Sequence, residues 1–200
     1  MTGTEHWRQV AALDDVGVRD AILSGYADGK PFTPYVPTID IGTPARVLDF
    51  GCGLGRNLPF LTTVASEVVG FDLPEMIARV RALEWPAAVS FEADWARVRE
   101  QRFDLVFASL VFQHVEPAPL QRYLADIFTF APRIYLLQRG RHDFGGPTLQ
   151  YLPPGVAVAD GVLVDHDPVT NNLTRLGPIS GAEILSLADD RVYETILSAP

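Results

Sequence analysis

The chain has 200 residues, 48% of them hydrophobic and 20% charged, with a formal net charge of −9. That length suits one domain with a packed core, and the acidic balance argues against a dedicated nucleic-acid binder, whose affinity rests on neutralising phosphates. No apolar run is long enough to span a membrane, and the polar stretch Met1–Gln9 lacks the apolar segment of a secretory leader, so a cytoplasmic protein is the expectation.

The periodicity predicts a helix over Glu5–Leu23, with apolar positions at Val10, Leu13, Val16 and Ile22. A Gly/Pro-rich connection, Gly25–Pro44, carries Tyr26, Phe32 and Tyr35. From Ala45 the pattern changes. Ala45–Phe50, Val68–Phe71, Ala88–Glu92, Phe103–Ala108 and Arg133–Leu137 read as short, continuously apolar strands. Helices are expected between them over Asn57–Ala65, Pro74–Leu83 and Leu120–Phe130. Strands alternating with helices at this spacing predict βαβ units and a parallel sheet, and continuous apolar strands predict a sheet covered on both faces. After Arg139 the pattern weakens. A hairpin is expected around Val156–Ala159 and Val162–Val164, then a helix over Ser180–Ala188 and a last strand over Arg191–Leu197. There is no internal repeat.

The strongest local signal is Asp49-Phe50-Gly51-Cys52-Gly53-Leu54-Gly55, placed directly after the first strand. Glycines at a strand-to-helix turn let backbone approach a ligand, and in a doubly wound sheet this turn lies at the carboxyl edge, where ligands bind. The spacing is G-x-G-x-G, not the G-x-G-x-x-G of dinucleotide sites. Asp49 sits poorly beside a pyrophosphate but suits a cationic ligand. Cys52, the one cysteine, excludes an intrachain disulfide and reads as a small filler of the turn.

This loop resembles motif I of the class I S-adenosylmethionine-dependent methyltransferases. Three further segments fall in the order that family shows. Asp72 ends the second strand in VVGFDLPEM, and the resemblance implies that it accepts hydrogen bonds from both ribose hydroxyls, with Leu73 beside it. Asp94-Trp95 follows the third strand, and the resemblance implies contacts to the adenine amino group and ring. Capping of the following helix is the other reading of Asp94. FDLVFASLVFQHVEP (103–117) resembles the fourth motif, placing Ser109 and Leu110 against the methionine part of the cofactor. His114 follows as the candidate catalytic group, able to orient an acceptor or take its proton. One departure stands out: the stretch after the second strand, Asp72-Leu73-Pro74-Glu75-Met76, is one residue shorter than is common, so Met76 reads as core.

The resemblance covers about residues 45–139 plus the closing segment 180–197. It implies a doubly wound, mostly parallel, seven-stranded Rossmann-like α/β sheet with helices on both faces. Residues 1–44 are then an N-terminal helix and substrate lid, and 45–200 the cofactor domain, with S-adenosylmethionine bound by Asp49, Phe50, Gly51, Cys52, Gly53, Asn57, Asp72, Leu73, Asp94, Trp95, Ser109 and Leu110. No metal is required and no ligand cluster is evident. The acceptor is expected to be a small molecule rather than nucleic acid or membrane, with Arg139, Arg141 and His142 available for an anionic group. A homodimer remains open. Two other readings stand beside this one: a nicotinamide-dependent oxidoreductase, and a non-catalytic binding or sensor protein.

Overall fold

The computed structural model describes residues 3–22, 33–144, 146–167 and 170–199. Tyr26 and Phe32 of the expected lid lie outside them. Among the described residues, no helix is long and apolar enough to cross a membrane.

One eight-stranded sheet organises the chain, in the order β3-β2-β1-β4-β5-β8-β6-β7. Strands β1 (Arg46–Phe50), β2 (Glu67–Phe71), β3 (Val89–Glu92), β4 (Leu105–Ser109) and β5 (Arg133–Arg139) run parallel. β8 (Val192–Ser198) is antiparallel to β5 and to β6 (Ala157–His166), which in turn pairs antiparallel with β7 (Leu173–Pro178). The sheet therefore has one strand more than the expected seven. The reason lies in the weakly patterned segment. The expected hairpin around 156–164 is a single long strand, β6, carrying register shifts at Val158/Asp160 and Leu163/Val164. Its true hairpin partner is β7, whose side chains are mostly exposed and give no apolar signal.

The two faces of the sheet bury separate cores. On one face Leu48, Val106, Ile134 and Leu136 pack against α6 (Pro117–Phe130), which presents Leu120, Leu124 and Ile127 at helical spacing. On the other, Val47, Phe107 and Tyr135 pack against Leu58 and Leu61 of α3 (Leu58–Val64) and against Tyr35, Ile39 and Ile41 of the strap before β1. Burial on both sides explains why β1, β4 and β5 lack alternation. Pro74 opens α4 (Pro74–Val80) and Pro117 opens α6, at first-turn positions where the missing N–H costs nothing. α5 is Trp95–Arg99, and α7 (Gly181–Ser186) starts with a Ser180/Glu183 capping box.

The expected N-terminal helix is two: α1 (Gly3–Ala11) and α2 (Asp15–Ile22). Asp14 accepts the Gly17 N–H at 2.8 Å and starts the second. Ala11 and Val18 pack on Met76 of α4, and Arg79 donates to the carbonyls of Ala11 and Leu13 at the end of α1. This pins the N-terminal helices over the carboxyl edge of the sheet.

Candidate active site

A cavity of about 650 Å³ opens at the carboxyl edge, between the loop after β1, the ends of β2, β4 and β5, and α1 above. Its volume is that of a cofactor or small-ligand site. The loop turns through Gly51, Gly53 and Gly55, with φ of +74°, +55° and +84°. A β-carbon at Gly51 would stand 2.4 Å from Val111 Cγ2, so only glycine fits. The loop amides are taken internally. Gly51 and Cys52 donate to the Phe71 carbonyl, Gly53 to Asp72 Oδ2 at 2.7 Å, and Gly55 to the Cys52 carbonyl. The turn is thus no phosphate cradle, which would require those N–H groups to face outward.

Two carboxylates dominate the electrostatics. Asp49 is 1% exposed, and neither oxygen has a hydrogen-bond partner. Burial, reinforced by the nearby Asp72 charge, pushes its pKa up to about 8, against the opposing influence of Asn57. The Asn57 side chain is committed elsewhere: its Nδ2 donates to Ser109 Oγ at 2.9 Å and its Oδ1 accepts the Tyr35 N–H at 3.2 Å. Asn57 therefore ties the strap, α3 and the end of β4 together beside Asp49. Asp72 accepts from Gly53 and Leu73 N–H groups, both at 2.7 Å; burial raises its pKa to about 6, with those bonds opposing. A carboxylate has about four acceptor sites, so Asp72 keeps capacity for a ligand.

Of the residues singled out in the sequence, Phe50, Gly51, Cys52, Gly53, Asn57, Asp72, Leu73, Trp95, Ser109, Leu110 and His114 line this cavity, with Asp49 buried behind the loop. Trp95 is held edge-on by Phe50 and Tyr123 and at a tilt by Phe71, with its Nε1 donating to Asp126 at 2.9 Å. Asp94 is exposed, caps α5 through the Ala96 N–H at 2.9 Å and does not line the cavity. Leu110 adopts φ +53°, unusual for a side chain of its size, with its N–H donated to the Leu137 carbonyl at 2.7 Å. Cys52 is buried with its thiol pKa pushed well up, chiefly by desolvation, as suits a filler. Met76 is 2% exposed and packs on α1 and α2, yet also reaches the cavity wall.

His114 stands where β4 leads into α6. Its Nδ1 is 2.7 Å from Asp143 Oδ2 and its Nε2 is 3.2 Å from Gln113 Nε2. The network fixes the tautomer. Gln113 Oε1 already accepts the Arg139 backbone N–H at 3.1 Å, so Gln113 Nε2 is the donor and His114 Nε2 the acceptor. The Nδ1 proton then faces Asp143. Trp7 of α1 lies edge-on to the His114 ring, centroids 5.5 Å apart.

Arg139 lines the cavity, whereas Arg141 and His142, its expected companions, do not. Arg141 is exposed, and His142 is buried with its pKa lowered to about 4, mainly by desolvation. Arg56 and Tyr35 join the site instead, Arg56 Nη1 donating to the Tyr35 hydroxyl at 2.6 Å. No cluster of three or more His, Cys, Asp or Glu side chains able to hold a metal ion occurs among the described residues.

The family described as "Methyltransferase domain" matches residues 27–139. The chain belongs to this methyltransferase family. No curated protein matches it. Among solved structures, the methyltransferase is similar to the N-methyltransferase NodS from Bradyrhizobium japonicum WM9 in complex with S-adenosyl-L-homocysteine: 15% identity, TM-score 0.61, all of both chains covered. It is also similar to a TehB-like S-adenosylmethionine-dependent methyltransferase from Corynebacterium glutamicum ATCC 13032 (18% identity, TM-score 0.56, 98% and 95% covered). Magnesium protoporphyrin IX methyltransferase from Synechocystis PCC 6803 gives 15% identity and a TM-score of 0.52, with 100% and 92% covered. At these identities the likeness is one of fold.

The activity of the methyltransferase is S-adenosylmethionine-dependent methyl transfer, which sets the oxidoreductase reading aside. Its site fits that cofactor. Asp72 lines the cavity and keeps acceptor capacity beyond the two loop amides, Asp49 lies behind the loop with two buried oxygens that lack a hydrogen-bond partner, and two neighbouring carboxyls suit a ligand with a sulfonium charge. Arg56 was not singled out in the sequence, although it directly follows the glycine loop, which was a usable signal. Gln113 and Asp143 gave none, because their roles exist only through His114.

Proposed function

We infer that the methyltransferase acts on a small molecule bearing an O–H or N–H group, and that His114 removes the proton. The observation that carries this reading is the Asp143–His114–Gln113 chain, which leaves a neutral imidazole with its Nε2 lone pair at the cavity wall. S-adenosylmethionine supplies the methyl; as the acceptor atom bonds to that carbon, the carbon–sulfur bond breaks and its electron pair stays on sulfur. The acceptor hydroxyl or amine displaces the Gln113 amide from Nε2 and passes its proton there. Asp143 steadies the imidazolium that forms. Trp7 of α1 packs edge-on to the His114 ring and lines the cavity of about 650 Å³ that cofactor and acceptor would share, which favours a small acceptor.

A radiolabelled-methyl assay against small O–H and N–H acceptors tests this. His114→Asn should lower kcat on the order of 100-fold or more while the dissociation constant for S-adenosylhomocysteine stays put. Unchanged kcat in that variant would discard the base. Methylation of protein or nucleic acid alone would discard the small acceptor. Melting with S-adenosylmethionine, S-adenosylhomocysteine and NAD in parallel is the companion measurement.

A further inference from the structure

Arg139 closes β5, one strand over from Ser109, with Leu110 N–H bonded to the Leu137 carbonyl between them. Its guanidinium lines the cavity but makes no hydrogen bond or ion pair with any described residue, and its Nε is buried without a partner. A guanidinium is always charged and carries five donors in a rigid fork, so leaving it unmatched is unfavourable. The carboxylates of the site are engaged elsewhere or stand apart. Asp143 is taken by His114, and no carboxylate lies within ion-pair distance of Arg139 among the described residues.

Arg56 adjoins Asn57, and through Tyr35 it belongs to the Asp49 end of the cavity. The Arg139 backbone N–H holds the Gln113 amide, which stands 3.2 Å from His114 Nε2. The Arg139 charge reaches Tyr35, where it joins Arg56 in opposing the rise that burial causes, and His166, whose pKa burial lowers against the Asn171 hydrogen bond and both arginines lower further. Arg56 and Arg139 thus make the cavity wall around Tyr35 cationic.

We propose that Arg139 binds an oxyanion, a carboxylate or phosphate, on the methyl acceptor, so that the substrate is a small anionic molecule whose nucleophilic atom faces His114. A forked donor pairs with either oxyanion in two parallel hydrogen bonds, which fixes both position and direction. This assignment rests on the methyl-transfer reading above.

The test uses the full chain saturated with S-adenosylhomocysteine. Small hydroxy- and amino-carboxylates and phosphate monoesters are each titrated beside a neutral amide or ester of the same skeleton. Anionic members should bind and their neutral twins should bind at least 10-fold more weakly. Arg139→Met should weaken the anionic members about 10- to 100-fold, and leave the S-adenosylhomocysteine dissociation constant within about 3-fold. Arg139→Lys, which keeps the charge without the fork, should fall between them and covers the case in which the methionine variant does not fold. Equal binding of charged and neutral twins, no binding by any anionic member, or a variant that loses S-adenosylhomocysteine instead, would overturn the assignment; the last result would give Arg139 to the cofactor's carboxylate. Failure of the unaltered protein to bind S-adenosylhomocysteine would strike the methyl-transfer reading itself.

Discussion

His114 Nδ1 and Asp143 Oδ2 stand 2.7 Å apart, although they come from different connections, one after β4 and one after β5. The Asp143 N–H donates to the Gln113 carbonyl at 3.0 Å, so the backbone holds the pair in register. Asp143→Asn should preserve this packing but allow the wrong imidazole tautomer. The expected result is a kcat loss of roughly 10-fold or more with cofactor affinity unchanged, read from initial rates and calorimetry. Full activity in Asp143→Asn would leave His114 without an orienting partner.

Asp49 makes the ligand-free protein sensitive to pH. In the unfolded chain it ionises above its usual value near 3.8, whereas in the folded chain it stays protonated to about 8. A raised carboxyl pKa gives stability that is fully present below pH ~4 and drains away as the pH climbs to about 8. Asp49→Asn removes that loss. The variant should melt roughly 3–10 °C above the unaltered protein at pH 8 and show no such gain at pH 4. It should also lose most of its affinity for S-adenosylmethionine. In the unaltered protein the same affinity should rise from pH 6 to pH 8, with proton release on binding visible as buffer-dependent heat.

Asp72→Ala should act differently. It strips the Gly53 amide of its acceptor and removes the oxygens facing the cavity. A ligand at ~100 times its dissociation constant raises stability by about 2.7 kcal/mol, or roughly 5–10 °C here. That rise with S-adenosylhomocysteine should disappear in Asp72→Ala; a full rise would remove Asp72 from the cofactor site.

Gly51→Ala carries a steric prediction. Its φ of +74° is strained for alanine, and the new methyl would meet Val111. A loss of about 1–3 kcal/mol in urea denaturation is expected. Val111→Ala in the same chain should return part of it, because that change removes the clash but not the backbone strain.

Much of this was legible in the sequence because β1, β2 and β4 are buried on both faces and punctuated by glycine or aspartate. Arg46–Phe50 followed by Gly51, Gly53 and Gly55 has few alternatives once the strand is recognised. β7 was not legible, since Thr174, Arg175 and Leu176 are all exposed and the strand is made by pairing with β6 rather than by burial. The break in the first helix was signalled by Asp14, a good N-cap, but the apolar spacing ran through it. Convergence was the deepest loss. Arg56 and Gln113 lie on separate connections and Arg139 at the end of β5, and only the sheet order brings them to one cavity.

The strap before β1 is fastened by Glu194. Its oxygens accept the Tyr135 hydroxyl at 2.7 Å, the Thr38 N–H and the Thr38 hydroxyl. Thr38 and Glu194 are 156 positions apart, so this knot closes a loop that spans most of the chain. Loop closure on that scale is slow, and the contact must wait until β5 has accepted β8. Tyr35, three residues from the knot, therefore reaches the site late in folding. A nascent chain whose early strands are already paired would still lack a finished wall around its cofactor, and binding competence should lag behind the gain of secondary structure.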